Sequence, residues 1–512
     1  VGHWTDELDG RHICVHDNSV AHSSEGWVGK FAVQTQHEAS LMFEWHSMST
    51  KRHRVVLDGA NRMSFCDWQL DRQSGKLPPP AASASAEESR AGSPLAAVIE
   101  SGDIGLVRGA YFEECWEQGR PFEFRQNIPA HYFWPGPEAV DLWEKHGKCF
   151  LVILSYGWLS KSHPDPERFH IRRLARVIQE LKRHVCDFGV NEVAVVVDYC
   201  SLWQSGREEG LDCRTVQQQE QFQRGLAHFN LMYLHMHTTA IKLKCVPPAE
   251  QRRYDDRGWT LFESVVIDSK AGMQNVFCNE ADDTEFTFQE GQGWEFLKQF
   301  IPVRRRCLPL VPADFVEQLE DRRRLAAERG CPLFTNGKDN SFVPRKYEDV
   351  FQVILNARSR NYSGARLDDE AVQLLCKVMC SSKVEVLNFG SNRIGREGLG
   401  AILEMPCSGS TLRTLLLYEN RLGEDCVQLI ADALPHLRSL RKLGLEATPL
   451  SGSVEARAAL QTAWARAGKA ERGLVFDFPY YPPPEPDASG MTPPGRAGRV
   501  KQAKQAQRSV LF

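Results

Sequence analysis

Tyr254-Asp-Asp-Arg-Gly-Trp-Thr-Leu-Phe-Glu263 is the stretch on which the reading of this chain turns. It sets a carboxylate, Glu263, four residues after Trp259, a spacing that puts both side chains on one face of a helix. Two other segments converge on it: Cys149-Phe-Leu-Val-Ile-Leu-Ser-Tyr-Gly-Trp158 and Val193-Ala-Val-Val-Val-Asp198. The question for the whole chain is whether Glu263 is a catalytic carboxylate or a structural one.

Outward from that stretch, short apolar runs alternate with amphipathic segments. The run 149–155 reads as a buried strand. The segment Phe169 to Cys186 carries Ile171, Leu174, Val177, Ile178 and Leu181 at helical spacing. Val193 to Val197 is a second strand, Val216 to Leu234 a helix, Thr239 to Leu243 a third strand and Thr260 to Ile267 a helix. A further short strand lies near Asn275 to Cys278. This alternation predicts a parallel sheet with helices on both faces. Ligands of such sheets bind at the carboxyl ends of the strands, where Ser155, Tyr156 and Asp198 fall.

Toward the C-terminus an internal repeat is plain. Leu387-Asn-Phe-Gly-Ser-Asn392-Arg-Ile-Gly and Leu415-Leu-Leu-Tyr-Glu-Asn420-Arg-Leu-Gly coincide after a shift of 28 residues. A third copy, Leu443-Gly-Leu-Glu-Ala-Thr448-Pro-Leu450, keeps the register but replaces Asn with Thr. Since the Asn side chain in such a turn bonds neighbouring backbone, its loss suits a terminal, capping unit. A cryptic unit before Val384 would extend the array.

The remaining segments complete the layout. Residues 1–72 read as a small N-terminal β-rich module, from alternating runs such as Trp27 to Val33 and Arg54 to Leu57. Residues 73–94, with Pro78-Pro-Pro-Ala-Ala-Ser-Ala-Ser-Ala, are a disordered linker. Residues 95–145 are a helical lead-in, 146–310 the α/β domain, 311–365 a helical connector and 366–470 the repeats with their cap. Residues 471–512 are a disordered Pro-rich and basic tail.

Composition excludes several classes. A chain of 512 residues exceeds one hydrophobic core, so three or more domains are expected. Its net charge of -4 gives no electrostatic case for nucleic acid as a partner. No apolar run approaches the roughly 20 residues of a transmembrane helix. The 15 cysteines lack a repeated spacing and several sit inside apolar runs, which suits buried thiols in a reducing, cytoplasmic setting. The chain begins at Val1, so a preceding targeting peptide stays open.

Three motifs in order carry a resemblance: Leu154-Ser-Tyr-Gly-Trp158, Val197-Asp-Tyr-Cys-Ser-Leu-Trp-Gln204 and Arg257-Gly-Trp-Thr-Leu-Phe-Glu263. Over about 150 residues they resemble the heterokaryon-incompatibility (HET) domain, itself similar to the Toll/interleukin-receptor (TIR) fold. The repeats at about 366–452 resemble leucine-rich repeats of the longer, ribonuclease-inhibitor type. The resemblance implies a flavodoxin-like (TIR-like) parallel sheet followed by a short α/β leucine-rich array that binds a protein. It also implies a role in cell-death or immune-type signalling. In enzymatic TIR domains the glutamate after the tryptophan is required to cleave NAD+ at the nicotinamide–ribose bond; the matching position here is Glu263. NAD+ would then be a substrate, and no cofactor is implied.

The chemistry suits one carboxylate. Nicotinamide leaves as a neutral molecule from a cationic nucleotide, so no general acid is needed, whereas an ordinary glycosidase uses two carboxyls. Glu263 would hold the ribose and face the oxocarbenium charge. Trp259 would stack on a base, Ser155, Tyr156 and Trp158 would line the strand ends, Asp198 would bind ribose and Arg257 a phosphate.

The plainer readings stand beside these. Glu263 can pair with Arg257 or a neighbouring helix; Trp259, Phe262 and Val266 fall at core spacing; Asp198 can cap a turn. The sequence departs from TIR domains in Gly157-Trp158 and in lacking a Gly-rich phosphate loop. His228, His235 and His237 read as a helix end rather than a metal site, and Cys200 has no base motif beside it. His163-Pro-Asp-Pro166 forms a rigid loop over the crevice mouth, as a gate or a plain turn. Two functions stay open: an NAD+-cleaving signalling effector, and a non-catalytic adaptor that self-associates through the α/β domain and recruits protein through the repeats.

Overall fold

The computed structural model describes the strands within residues 2–72 and residues 94–477, apart from 187, 207–211, 271–275, 280–307 and 335–336. Residues 73–93 of the expected linker and 478–512 of the expected tail lie outside the described residues.

Eight short strands come first: β1 (Gly2–Asp6), β2 (His12–His16), β3 (Val20–Ser23), β4 (Val28–Val33), β5 (Glu38–Phe43), β6 (Lys51–Asp58), β7 (Arg62–Phe65) and β8 (Trp68–Arg72). Each pairs antiparallel with the next, and β8 returns to β1 to close a barrel. Closure leaves no strand edge unpaired.

The second sheet is built from β9 (Val107–Arg108), β10 (Leu151–Tyr156), β11 (Ala194–Val196), β12 (Thr239–Leu243) and β13 (Val276–Asn279), in the order β13-β12-β10-β11-β9. Strands β10 to β13 are parallel, with Leu151 beside Ala194 and Ser155 beside Lys242. The expected parallel sheet gains one antiparallel edge strand from outside 146–310, because β9 pairs antiparallel with β11. Segment 95–145 is therefore part of this unit and not a separate lead-in. Its helices α1 (Pro94–Glu100), α2 (Gly109–Glu117) and α3 (Gly136–His146) join the same core through Ile99, Phe112 and Trp143.

Local chemistry sets the helices of this layer. Helix α4 (Phe169–Cys186) starts where the buried Asp165 carboxylate accepts from the His170 and Ile171 amides at 2.9 and 2.7 Å. A short α5 (Asp198–Ser201) follows β11. Helix α6 (Val216–Leu234) opens on a capping box in which Thr215 and Gln218 each bond the other's amide. Helix α7 (Gly258–Asp268) crosses Phe334 so closely that a Cβ on Gly258 would lie 2.1 Å from the Phe334 ring.

Helices α8 (Pro312–Glu328) and α9 (Asp339–Asn356) pack onto α7, where Phe262 meets Phe315 and Tyr347. The segment expected to be a connector thus contributes to the central core.

The third sheet is wholly parallel, in sequence order: β14 (Ser359–Asn361), β15 (Val386–Asn388), β16 (Thr414–Leu416), β17 (Lys442–Gly444) and β18 (Leu474–Val475). Strand β14 is the cryptic unit. Strand β18 corrects the expectation of disorder from 471: Leu474 pairs with Leu443 and Phe476 enters the core. The 28-residue shift is also written in the backbone, since Ser391, Glu419 and Ala447 all adopt left-handed φ, at 55°, 53° and 52°. Asn392 Nδ2 donates to the carbonyls of Tyr362, Phe389 and Gly390, and Asn420 repeats the pattern on Phe389, Leu417 and Tyr418. Thr448 reaches only the Leu445 carbonyl. No described helix is long and apolar enough to cross a membrane.

Candidate functional site

The carboxyl end of β10 carries two polar clusters, one on each face of the sheet. Successive residues of a strand point to opposite faces, so Ser155 and Tyr156 enter different clusters.

On the α7 side, the fully buried Ser155 hydroxyl donates to Glu263 Oε2 at 2.5 Å and lies 2.5 Å from the Tyr254 hydroxyl. Tyr233, near the end of α6, donates to the Leu154 carbonyl at 2.9 Å and also contacts the Glu263 carboxyl. Glu263 is surrounded by protein yet keeps partial solvent exposure. Burial raises its pKa to about 8; the Ser155 and Tyr233 hydroxyls lower it, and the Asp198 charge acts with burial. One strand over, the Ser155 neighbour Lys242 is buried against the same helix, bonded to Asp268 at 2.7 Å and to Ser264 at 3.3 Å. Glu263 is thus the one carboxylate of α7 not tied to a cation.

On the other face, Tyr156 and Trp158 donate to the two oxygens of Asp198 at 2.8 and 3.0 Å, and the Tyr199 amide adds a third bond at 2.7 Å. Burial holds the Asp198 pKa above the ordinary carboxylate value, with these donors opposing it. Tyr156 is itself raised, by burial first and then by the Asp198 charge. Phe122 and Tyr199 pack around the ring of His163. His163 accepts from the Asp165 amide through Nδ1 and so donates through Nε2 to the Phe122 carbonyl, 2.9 Å away. The loop 163–166 is pinned from both sides and anchors α4.

Five of the seven expected residues therefore meet at the strand ends: Glu263 with Ser155, and Asp198 with Tyr156 and Trp158. The remaining two point their polar groups elsewhere. Arg257 is buried and spends its guanidinium on the carbonyls of Trp158 and Arg252, with Glu250 at 3.5 Å. Gly157 makes room for it, since a Cβ there would lie 3.1 Å from Arg257 Nε. Arg257 is thus committed to these internal partners rather than to the Glu263 cluster, against its expected role on a phosphate. Trp259 donates to Asp339 at 2.9 Å and packs on Phe262 and Phe342, so α9 and not Glu263 receives its indole. Asp198 already accepts from three donors within the protein, which leaves little of it for a ribose.

Sequence reasoning passed over Tyr254 and Tyr233. The first stood at the head of the deciding stretch, and only its contact with Ser155 marks it. The second sits in an ordinary helical run, and nothing in its spacing singles it out.

No protein-family model matches the chain, and no curated protein matches it.

Proposed function

We propose that this protein is a signalling-type effector whose central α/β unit cleaves NAD+ at the nicotinamide–ribose bond through Glu263. The observation that carries this reading is the Glu263–Ser155 pair: a carboxyl with a raised pKa, on a residue that is only partly buried, held by a buried hydroxyl at the carboxyl ends of parallel strands. The strand order β13-β12-β10-β11 agrees with the flavodoxin-like arrangement that the HET and TIR resemblance implies.

The chemistry runs on one group. Before substrate binds, Glu263 is largely neutral at pH 7, since its pKa is about 8. A cationic nicotinamide riboside beside it favours the ionised form and expels the proton. The C–N bond then breaks, its electron pair leaves with neutral nicotinamide, and the carboxylate faces the ribosyl oxocarbenium ion. Water adds to that cation and gives up a proton, which yields ADP-ribose. Ser155, itself bonded to Tyr254, holds the carboxyl in place together with Tyr233.

The C-terminal parallel array is the leucine-rich-repeat part of this reading and recruits a protein partner; the setting is cytoplasmic. The adaptor reading is favoured by one observation: Arg257 and Asp198 are both committed to internal bonds. In that case the α/β unit acts by self-association.

Incubation of concentrated full-length protein with NAD+, with nicotinamide release followed by chromatography, separates the two. Release by wild type and its loss in Glu263→Gln supports the enzyme. No release by wild type, or equal release by both, leaves the adaptor.

A further inference from the structure

A second feature lies on the far side of the turn that carries Tyr254. Gln251, Arg253, Asp255, Asp256, Arg322 and Arg329 line an open cleft of about 650 Å³ between the turn Tyr254–Asp256 and α8. That volume falls within the range of small-molecule sites, roughly 300–1,000 Å³.

Its charges do not cancel. Asp256 is paired with Arg329 at 2.9 Å, and Asp255 with Lys244 at 2.9 Å. Both acids of the lining are thereby neutralised. Arg253 and Arg322 have no ion-pair or hydrogen-bond partner for their guanidinium groups among the described residues, although both reach the cleft. Two fork-shaped donors without a carboxylate, facing one concavity, match the oxygens of phosphate groups.

We propose that this cleft is an anion site for a phosphate-bearing small molecule, held by Arg253 and Arg322. A pyrophosphate group spans two guanidinium forks, and the remaining volume accommodates a nucleoside. The site is separate from the bond-breaking role of Glu263 and does not depend on it. It is joined to that residue only through the turn, since Tyr254 stands between Arg253 and Asp255 and bonds Ser155.

The test is titration calorimetry of the full-length chain with inorganic pyrophosphate and, separately, with ADP. Both probes bind wild type with dissociation constants below about 1 mM, and raising the salt weakens both. Arg253→Gln with Arg322→Gln lowers affinity at least about tenfold, the loss of roughly one charged hydrogen-bonded contact. Tighter binding of ADP than of pyrophosphate identifies a nucleotide site; equal affinity identifies a site for the phosphate groups alone. Glu263→Gln binds both probes as wild type does, so a failure of the NAD+ reading leaves this result intact. Neither guanidinium supports the core, and an unchanged thermal midpoint shows that the double variant folds. Absence of binding by both probes at about 5 mM, or undiminished binding by the folded double variant, overturns the proposal.

Discussion

Ser155 and Glu263, 108 residues apart in sequence, meet at 2.5 Å, with the hydroxyl donating to the carboxyl. Strand β10 presents the first and helix α7 the second. The pair ties the end of the sheet to the helix that covers it, and most of what is testable about this protein follows from it.

Stability should fall as pH rises through the range in which Glu263 differs between folded and unfolded chains. The unfolded carboxyl releases its proton near 4.5, and the folded one holds it to about 8. Between those values the folded state binds more protons, so unfolding free energy declines with increasing pH; below them the contribution is fully present. Glu263→Gln cannot titrate. Thermal midpoints measured in parallel across this window show wild type losing ground to the Gln variant as pH rises, and parallel curves would contradict the buried carboxyl.

If Glu263 acts as a carboxylate, kcat/KM for NAD+ rises with pH to a plateau, with a midpoint near 8. Ser155→Ala removes a bond that lowers this pKa, so the midpoint moves upward. Each unit of movement leaves about tenfold less carboxylate at neutral pH. A pH–rate profile of the variant reads the shift directly, whereas a merely structural hydroxyl would lower the plateau and leave the midpoint in place.

The asparagines of the C-terminal array are each worth several buried bonds. Asn392→Ala and Asn420→Ala each remove three donated bonds to backbone carbonyls and one bond accepted from a backbone amide, at a cost on the order of 3 kcal/mol. Thr448→Ala loses one bond and costs about 1 kcal/mol. Urea unfolding of the three variants gives this ranking; equal effects would show that the terminal unit is no different from the internal ones.

Arg360 joins the third sheet to the helix of Glu263. It is 3% exposed, and its guanidinium donates to the Ser269 carbonyl at 2.7 Å and to the Ile354 carbonyl. The positive charge sits at the carbonyl end of α7, where the helix dipole favours it. Arg360→Met leaves the buried Ser269 carbonyl without its donor, removes a second donor from the Ile354 carbonyl, and costs about 2–3 kcal/mol. Hydrogen exchange in the last turn of α7 should rise several-fold in this variant, and unchanged protection there would rule out the coupling.

The periodic elements were legible because burial writes itself into spacing. Phe169–Cys186, Val216–Leu234 and Thr239–Leu243 each appear where the apolar residues place them. The three repeats were legible for the same reason, since a 28-residue shift superposes their leucines and, in the first two, their asparagines. Strand β9 was not, because two residues in an antiparallel pairing leave no period to read. The role of 95–145 in the central core went unread with it. Arg257 and Trp259 looked like ligand groups by type and position; Trp158, Arg252 and Asp339 claim them in the folded chain, and nothing local to the sequence announces those partners.

The sequence by itself determined the strand–helix alternation, the repeat and its weakened last copy, and the presence of Ser155 and Asp198 at strand ends and of Glu263 on a helix. These follow from local spacing, which the chain carries wherever it folds. Only the tertiary structure decided the division of labour among them. The pleat sends Ser155 to one face and Tyr156 to the other, so Glu263 receives Ser155 and Tyr233 while Asp198 is consumed by Tyr156 and Trp158. That assignment depends on which helix covers which face, a matter of long-range packing, and it is what leaves Glu263 as the carboxyl at the strand ends that is held by hydroxyls and has its pKa raised by burial.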